Sequence, residues 1–551
     1  MFAENSMSFD IRYKDLLGRI GRIKTKSGTI ETPTLLPVIN PARQTIPPRI
    51  LKEEFDCEAI ITNAYILRKQ SAEKPVKMGV HEFLDFDGVI MTDSGAYQIL
   101  EYGEIDVSPA EIAHYQERID TDVATILDIP TGFNMKKQDS ERTVDETIKR
   151  AKDLAEIKTR SDILWVGPIQ GGKYLDLVAR SAKNIGRMPF DIHALGSPTP
   201  IMEQYLFDTL VNMILTAKMN IPINRPLHLF GAGHPFMFAL AVALGCDLFD
   251  SAAYAIYAKQ DRYMTEYGTS KLRELEYFPC SCPTCVRYEP QDLDCMPFNE
   301  KQETLAKHNL YVSFEELKRV KQRIVEGRLW EHLESRAHTH PALLQAVKLL
   351  KKHEDYLERH SPATKGKGLF YFSSLGLSRP EIVRYRKLFS ERHSTSVEAE
   401  NLLLLPQPHR RPFHKDRVIR SLLKRIREEL PERLETIEIC VYAAPLGVIP
   451  LELGEVYPLS QHEIAEPLDL ETIDYVAEQV RNYVESSSFK KVVLVEELSV
   501  WGGRVSKICK SIKRKGLSIT FRRVEAISNK EDLNNIAKTL REVFQGGPRG
   551  S

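Results

Sequence analysis

The stretch LHLFGAGHPFMFALAVALGCDLFDSAAY, residues 227–254, shows the pattern that decides the fold. The apolar run LHLFGAGH (227–234) turns into Gly and polar residues, a stretch with helical character follows, and the next run, CDLFDSAAY, begins at residue 246. This alternation is typical of βα units, in which a buried strand is followed by a helix.

The same pattern occurs eight times between residues 35 and 254. Eight βα units predict a closed parallel (β/α)8 barrel of the TIM type. A doubly wound sheet also alternates strands and helices, but no Gly-rich dinucleotide fingerprint follows the first strand. The other six runs are LLPVIN (35–40), AIITNAYIL (59–67), GVIMTDSG (88–95), VATILDIP (123–130), ILWVGPIQGG (163–172) and DIHALGS (191–197).

Polar side chains stand at the ends of five of these runs. In a parallel barrel the carboxyl ends of the strands meet at one rim, where barrel enzymes place their active sites. Turn formation and helix capping also favour Asp and Asn at such positions. Gln is not a preferred cap, however, and two of the acids are followed by Ser, which caps better. We therefore predict a polar site built from Asn63, Asp93, Asp128, Gln170 and Asp250.

Length and composition bound the class of protein. The chain has 551 residues, which is several times a typical domain of ~100–150 residues, so more than one folding unit is expected. Apolar residues make up 42% and charged residues 28%, with no apolar window of ~20 residues. The first residues do not resemble an export signal. These features predict a soluble cytoplasmic protein, and its 76 basic and 76 acidic residues leave nucleic-acid binding to local patches.

A cluster of cysteines and one histidine predicts a metal site. Cys280, Cys282 and Cys285 lie within six residues, and His308 follows 23 residues later. Three thiolates and one imidazole complete a tetrahedral Zn²⁺ shell and leave no position for water, so the ion would be structural. Cys295 competes for the fourth position, and ordinary free thiols are the alternative to a metal site.

The remaining pattern divides the chain into regions. We predict a catalytic barrel over residues 1–345 with the zinc segment at 271–310, a mainly helical or mixed linking domain at 346–430, a small α/β domain at 431–545, and a flexible tail or cloning remnant at 546–551. Basic patches at 409–427, 507–516 and 521–523 could follow a phosphate backbone. Each patch could equally be the solvated face of an amphipathic element.

Several segments together resemble tRNA-guanine transglycosylase over residues 8 to about 345. They are TDSGAYQ (92–98), IQGG (169–172), FGAGHP (230–235), FDSAAY (249–254) and the Cys/His cluster. The archaeal form is indicated by DIPTG at 128–132, by FDSAAYAIYA at 249–258 and by the regions downstream of the barrel. The resemblance implies that guanine at position 15, in the tRNA D-loop, is replaced by 7-cyano-7-deazaguanine on the route to archaeosine. It also implies a homodimer formed through the zinc region.

The resemblance assigns roles to residues of this chain. Asp250 matches the nucleophile that forms a covalent ribosyl-enzyme intermediate, and Asp93 matches the general acid/base, although the two roles could be exchanged. Base-reading positions are Asp128 and Gln170, with the backbone of the loop from Ala194 through Gly196 to Ser197. Tyr97 and Phe230 match the rings that sandwich the base, or are ordinary core aromatics. The loop reads ALGSPTP and lacks the double Gly common among related enzymes.

Two alternatives and one departure from the family remain. The long archaeal form usually ends in a PUA-type RNA-binding domain, whereas one predicted helix follows residue 525. We therefore expect that this domain either has been removed from the chain or is supplied as a separate PUA-type subunit. A queuine-type exchange is one alternative, which the archaeal-type appendages disfavour. The other is a non-catalytic, zinc-stabilised RNA-binding paralogue similar to archaeosine synthase, and retention of Asp93 and Asp250 favours an enzyme over it.

Overall fold

The structure, a computed structural model, describes residues 9–71, 73–96, 106–393 and 399–545. The chain divides into two compact units, Met1–Leu349 and Leu350–Ser551, called here the barrel unit and the second unit. The predicted tail at 546–551 lies outside the described residues.

The barrel unit begins with an antiparallel sheet that the sequence did not predict. Its strands are β1 (Phe9–Asp15), β2 (Gly18–Lys24) and β3 (Thr29–Thr32), in that order. Ile23 and Ile30 pack in one buried cluster with Val89 and Val123, which are the first residues of two barrel strands. The sheet therefore covers the amino-terminal end of the barrel and leaves the opposite end to the site.

Eight strands then close into the predicted barrel. Each predicted run supplies one strand, and neighbouring strands are parallel in the closed order β10-β11-β4-β5-β6-β7-β8-β9. The predicted fold class is therefore confirmed. The strands are β4 (Thr34–Ile39), β5 (Ala59–Asn63), β6 (Val89–Asp93), β7 (Val123–Thr125), β8 (Leu164–Ile169), β9 (Ile192–Leu195), β10 (Leu227–Leu229) and β11 (Leu248–Ser251).

The strands are buried on both faces, because helices cover the outside of the barrel and side chains fill its inside. This explains why they read as continuous apolar runs and not as an alternating pattern. One run is longer than its strand. The run at 59–67 stops being a strand at Asn63, whose Oδ1 accepts a 2.9 Å hydrogen bond from the Ile66 N–H, and a helix begins at Ala64.

Helices connect the strands and extend beyond them to the end of the barrel unit. They are α1 (Pro48–Phe55), α2 (Ala64–Ser71), α3 (Glu73–Met78), α4 (Val80–Leu84), α5 (Pro109–Arg118), α6 (Lys137–Ile157), α7 (Leu175–Ile185), α8 (Thr199–Glu203), α9 (Phe207–Asn220), α10 (Phe238–Ala243), α11 (Ala253–Lys259), α12 (Pro283–Arg287), α13 (Pro290–Asp294), α14 (Phe298–Glu326), α15 (Leu329–Ala337) and α16 (Pro341–Leu349).

A hairpin and a long helix hold the Cys/His segment against the barrel. The hairpin pairs β12 (Arg262–Thr265) with β13 (Gly268–Lys271), and α14 carries His308 and Asn309. The Asn309 amide accepts from the Met264 N–H at 2.9 Å and donates to the Tyr254 carbonyl at 3.2 Å. This one side chain therefore joins α14 both to the hairpin and to the helix that follows β11.

The second unit is built around one mixed five-stranded sheet. Its order is β17-β16-β15-β19-β20, with β17 antiparallel and the other pairs parallel. β15 lies before residue 430 and the other four strands lie after it. One sheet therefore contains strands from both regions that the sequence analysis separated at residue 430. The five strands are β15 (Asn401–Pro406), β16 (Ile437–Ala443), β17 (Gly447–Pro450), β19 (Lys491–Glu497) and β20 (Ser518–Val524). Two further strands, β14 (Leu369–Tyr371) and β18 (His462–Ile464), pair with each other in a separate parallel sheet.

Helices cover both faces of this sheet with separate apolar clusters. They are α17 (Glu354–His360), α18 (Pro380–Arg392), α19 (Arg417–Glu429), α20 (Leu470–Ser486), α21 (Leu498–Trp501), α22 (Arg504–Cys509) and α23 (Lys530–Gln545). None of the described helices of either unit combines the length and the apolar character that a membrane crossing requires.

Candidate active site and metal centre

A cavity of about 930 Å³ opens at the carboxyl end of the barrel strands. All five polar side chains that the sequence placed at one rim line this cavity. Asn63 and Asp93 are the last residues of β5 and β6, where they are register partners, and Asp250 lies in β11. Asp128 and Gln170 follow β7 and β8. The barrel thus brings together residues that are far apart in the sequence.

Asp250 is held from one side. His228 Nε2 lies 2.9 Å from Asp250 Oδ1, and the Gly231 N–H donates to the same oxygen at 3.0 Å. Among the contacts of the described residues, both hydrogen bonds reach Oδ1, which leaves Oδ2 for a ligand in the cavity. A carboxylate fixed through one oxygen with the other facing a pocket is well placed to act as a nucleophile.

Asp93 is in a more apolar and more acidic environment. Its Oδ2 accepts from Asn63 Nδ2 at 2.9 Å and from the Gly95 N–H at 3.3 Å. Burial, and then the neighbouring Asp128 and Asp250 charges, raise the pKa of Asp93 from 3.8 to about 7. A carboxyl group with this pKa exchanges a proton near neutral pH, which is what a general acid/base requires.

Asp128 and Gln170 form a buried pair in the wall. Gln170 Nε2 donates to Asp128 Oδ2, and its Oε1 accepts from the Thr131 N–H at 3.0 Å and from Ser197 Oγ at 3.1 Å. Burial raises the pKa of Asp128 to about 6. A Cβ at Gly196 would lie 2.2 Å from Gln170 Nε2, so a side chain at this position would displace the Gln170 amide.

The remaining predicted base-binding residues lie in different environments. Phe230 lines the cavity, with its ring 4.6 Å from that of His228. Gly196 lines it too, whereas Ala194 is fully buried in β9 within the barrel core. Tyr97 lies outside the described residues, and its position in the site stays a prediction.

His228 is a site residue that sequence reasoning missed. It lies in β10, next to β11, and its side chain is fully buried, so in the sequence LHLF it reads as part of an apolar strand. It contacts both the predicted nucleophile and the predicted stacking ring. A polar residue inside an apolar run, on a strand adjacent to that of Asp250, was the available signal.

The Cys/His segment forms a compact set of ligand atoms. Donor atoms of Cys280, Cys282, Cys285 and His308 all lie within 4.8 Å of one another. Cys282 Sγ is 3.6 Å from Cys285 Sγ and 3.4 Å from His308 Nδ1. Tetrahedral bonds of ~2.1–2.3 Å place ligand atoms ~3.4–3.8 Å apart, so these donors fit one metal ion.

Contacts around the cluster fix the orientation of the imidazole. His308 Nε2 lies 2.9 Å from the Met264 carbonyl oxygen, so it carries the proton and leaves the Nδ1 lone pair toward the sulfurs. The Tyr263 ring stacks on His308 with ring centres 3.7 Å apart. Cys295, the predicted competitor, is exposed and not part of this set. The described residues thus contain a four-donor site able to bind a metal.

The closed parallel barrel has two acids of different environment at its carboxyl rim and, apart from them, a four-donor cluster able to hold a metal. These features define a barrel enzyme. The model of the queuine tRNA-ribosyltransferase family matches residues 15–342. The chain belongs to this family of tRNA-guanine transglycosylases. A second model, of a domain of unknown function (DUF5591), matches residues 382–540.

Individual relatives are similar over most of the chain. The tRNA-guanine(15) transglycosylase of Saccharolobus solfataricus is 42% identical over 88% of this chain and 96% of its own length. Its counterpart in Methanocaldococcus jannaschii is 42% identical over 84% of this chain and 70% of its own length. The counterpart in Methanococcus maripaludis strain C6 is 40% identical, with 88% and 73% covered. These relatives support the archaeal type within the family.

Proposed function

We propose that this enzyme replaces guanine at position 15 of tRNA with 7-cyano-7-deazaguanine, through a covalent ribosyl-enzyme intermediate. The observation that carries the proposal is the meeting of Asp250 and Asp93 at one cavity, with the pKa of Asp93 near 7. The names of the relatives support position 15. The first product would be the precursor of archaeosine.

In the first half-reaction, Asp250 Oδ2 attacks C1′ of the ribose as the bond from C1′ to the guanine N9 breaks. The electron pair of that bond leaves with guanine, and protonated Asp93 supplies the proton that the leaving base needs. The resulting ester between Asp250 and the ribose holds the tRNA on the enzyme. His228 and the Gly231 N–H hold Oδ1 and thereby orient the attacking oxygen.

In the second half-reaction the proton returns to Asp93. The entering base loses its N9 proton to the Asp93 carboxylate, and N9 attacks C1′ while the ester bond to Asp250 breaks. Each exchange therefore leaves both acids in their starting protonation states. A carboxyl pKa near 7 suits a group that must donate and accept in turn.

Base recognition would use the edge that both purines share. Guanine and 7-cyano-7-deazaguanine present the same N1–H and 2-amino groups, which can donate hydrogen bonds to the Asp128 carboxylate. Both also present O6, which can accept a hydrogen bond from Gln170 Nε2 once that amide no longer donates to Asp128. Phe230 would cover one face of the base, and Tyr97 stays a prediction for the other. The substituent at position 7 would lie toward the Gly196–Ser197 backbone.

Incubation with radiolabelled guanine and tRNA tests the proposal. Incorporation of label into tRNA, chased out by unlabelled 7-cyano-7-deazaguanine, is the expected result. The assay includes the PUA-type subunit. If label is not incorporated with that subunit present, the proposed function is wrong; if queuine-type bases chase the label and 7-cyano-7-deazaguanine does not, the substrate is wrong.

We also propose that the metal is Zn²⁺, held by Cys280, Cys282, Cys285 and His308. Three thiolates and one imidazole are a donor set that favours zinc over harder cations. Bound there, the ion would supply cross-linking of the segment and no Lewis-acid chemistry, because four protein donors fill its shell. Elemental analysis should find one zinc per chain.

A homodimer through the zinc region is a further proposal. Its support is an exposed apolar set beside the metal cluster: Tyr277 is 80%, Val286 75% and Phe298 53% exposed. Large exposed apolar groups of this kind mark interaction sites. Light scattering after size exclusion should give a molar mass twice that of the chain, and Val286→Asp should lower the measured mass toward that of a single chain. A wild-type protein that is monomeric at micromolar concentration would contradict the dimer.

A separate PUA-type RNA-binding subunit and a cytoplasmic location complete the proposal. The tRNA named for the relatives supports the location, since tRNA is an intracellular RNA. Addition of the subunit should lower the KM for tRNA and leave the KM for the free base unchanged.

A further inference from the structure

The cavity continues well beyond the residues assigned to the target base. A volume of about 930 Å³ is near the upper end for small-ligand pockets, and one purine fills only part of it. Its lining includes rings that the proposed chemistry does not use, among them Tyr205, Tyr257, Tyr267 and His340 in the outer wall. These rings require a ligand of their own, or a structural explanation.

Tyr205 follows the carboxyl end of α8 in a left-handed turn that leaves it half exposed. Its backbone is left-handed, with φ of 56°, a conformation that costs about 1 kcal/mol or more for a residue other than Gly or Asn. Its side chain is 49% exposed. Helix capping explains this backbone, because the Leu206 N–H donates to the Ile201 carbonyl at 2.9 Å and the Tyr205 N–H to the Met202 carbonyl at 3.0 Å, as in turns that commonly end helices. The turn presents the half-exposed ring at the cavity, where a ligand can contact it.

The ring is also oriented before any ligand binds. Tyr205 stacks on His340 with ring centres 4.7 Å apart and planes 13° apart, and Phe207 contacts it edge-on at 6.0 Å. His340 is fixed in turn, because its Nδ1 accepts a 3.1 Å hydrogen bond from the Ala342 N–H at the start of α16. One face of Tyr205 is therefore supported by a second flat ring.

The charges of the outer wall suit a phosphate backbone. Arg43, Lys259 and Arg262 line it, together with Glu203, whereas the acids Asp93, Asp128 and Asp250 lie at the barrel rim. Arg262 lies over the Tyr257 ring at 5.1 Å. Flat rings interleaved with cations are the pattern by which proteins bind single-stranded RNA.

We propose that Tyr205, supported by His340, is a stacking platform for a nucleotide adjacent to the target in the tRNA. Extraction of the target base from the RNA stack leaves its neighbours with exposed faces, and the platform replaces the lost stacking for one of them. This inference rests on the proposed function, because it concerns the strand whose base is exchanged. It adds a subsite that binds RNA and not the free base.

The test compares two tyrosines of equal exposure. Tyr13 is also 49% exposed and lies in β1, away from the cavity, so Tyr13→Ala is the matched control for Tyr205→Ala. We expect Tyr205→Ala to raise the KM for tRNA about tenfold or more, with the KM for guanine within twofold. Tyr13→Ala should change neither, and Tyr205→Phe, which keeps the flat ring, should restore the wild-type value.

A direct readout uses RNA hairpins with 2-aminopurine on either side of the target guanine. Stacking on Tyr205 should quench the fluorophore at one flanking position in the wild type and not in Tyr205→Ala. Tyr205→Asn separates packing from binding, because Asn tolerates the left-handed backbone. We expect that variant to keep its melting temperature and to lose the quenching.

The outcomes separate this inference from the proposed function. A wild-type enzyme that exchanges guanine, with an unchanged tRNA KM and unchanged quenching in Tyr205→Ala, overturns the platform alone. A lower melting temperature with unchanged RNA binding assigns Tyr205 to packing and also overturns it. A wild type that does not incorporate guanine overturns the proposed function instead.

Discussion

Asp93 and Asp250 are chemically the same residue type in different surroundings. Asp250 Oδ1 accepts from His228 and from the Gly231 N–H, whereas Asp93 is desolvated beside two other acids. Two carboxyl groups in such different environments commonly have different roles, one as the nucleophile and the other as the proton carrier. The residue-scale predictions follow from this difference.

Trapping of the covalent RNA adduct should distinguish the two acids. Asp250→Asn removes the attacking oxygen, so we expect no adduct and a loss of exchange of about 10³-fold or more. Asp93→Asn should still form the adduct slowly, because its amide leaves the nucleophile intact. Denaturing electrophoresis of enzyme with labelled tRNA measures both; an adduct in Asp250→Asn that is missing in Asp93→Asn would exchange the roles.

The raised pKa of Asp93 also predicts a pH-dependent stability. Between pH 3.8 and about 7 the folded protein binds a proton at this residue that the unfolded chain releases, so its contribution to stability falls as pH rises through that window. Asp93→Asn removes the dependence. We expect the variant to gain stability relative to wild type from pH 4 to 7, by about 1–3 kcal/mol, and to keep that gain above pH 7.

Urea unfolding at pH 5, 6, 7 and 8 measures the difference between the two proteins. Asp10→Asn serves as the control, because the Asp10 side chain is 64% exposed. Its curve should run parallel to that of the wild type. A constant difference between Asp93→Asn and wild type across the series would contradict the raised pKa.

Part of this site could be predicted from the residues alone. Asp93, Asp128, Gln170 and Asp250 stand out because buried strands seldom end in such side chains. His228 did not stand out, since its role depends on the pairing of β10 with β11 and not on its sequence neighbours. The burial that shifts the pKa of Asp93 is likewise a property of the assembled barrel.

At the scale of elements, the metal cluster joins segments that have few apolar contacts of their own. α12 and α13 are each five residues long, and a metal bond network substitutes for a core at such sizes. The His308 ligand comes from the 29-residue helix α14, so one ion would fasten the short helix α12, which carries Cys285, to a long one.

Removal of one ligand should therefore act on stability. Cys282→Ser is expected to lose the metal and to lower the melting temperature by about 10 °C or more. Cys295→Ser is the matched control, because Cys295 is exposed and outside the cluster. Metal content per chain and a thermal melt check both variants. Full metal content in Cys282→Ser would contradict the ligand set.

The barrel strands were predictable because buried parallel strands have a simple signature. The ends of the strands were harder to predict. The mostly apolar run at 59–67 includes both β5, which ends at Asn63, and the start of α2, and periodicity alone does not mark the change from strand to helix. The sheet β1-β2-β3 was missed because charged and polar residues interrupt its strands and much of β1 is exposed, so no continuous apolar run marks it. Burial pattern, and not residue type, distinguishes them.

On the scale of the whole molecule, the second unit offers a basic face. Arg417, Arg420, Lys424 and Arg427 recur along α19 at helical spacing and are exposed, opposite the buried Ile419, Leu422 and Ile426. This arrangement fits the RNA-binding prediction for 409–427, and a solvated face remains its alternative. The family match to a domain of unknown function does not decide between them.

Charge reversal on α19 should decide it. Arg420→Glu combined with Lys424→Glu is expected to raise the Kd for tRNA about tenfold and to reduce the slope of log K against log salt by about 2. Lys149→Glu on α6 is the matched control for Lys424→Glu alone, because the Lys424 and Lys149 side chains are 78% and 70% exposed. Equal, small effects of these two variants would indicate a solvated face.

The order of the barrel strands in the sequence determines when, during synthesis, the residues of the site become available. Asp250 lies on β11, the last barrel strand in the sequence, which completes the ring by pairing with β4, the first. A nascent chain acquires Asn63, Asp93, Asp128 and Gln170 well before this strand leaves the ribosome. Under the roles proposed above, a chain that lacks β11 would have the residues that bind the base but not the nucleophile. Such an unfinished chain would be unable to remove a base from tRNA.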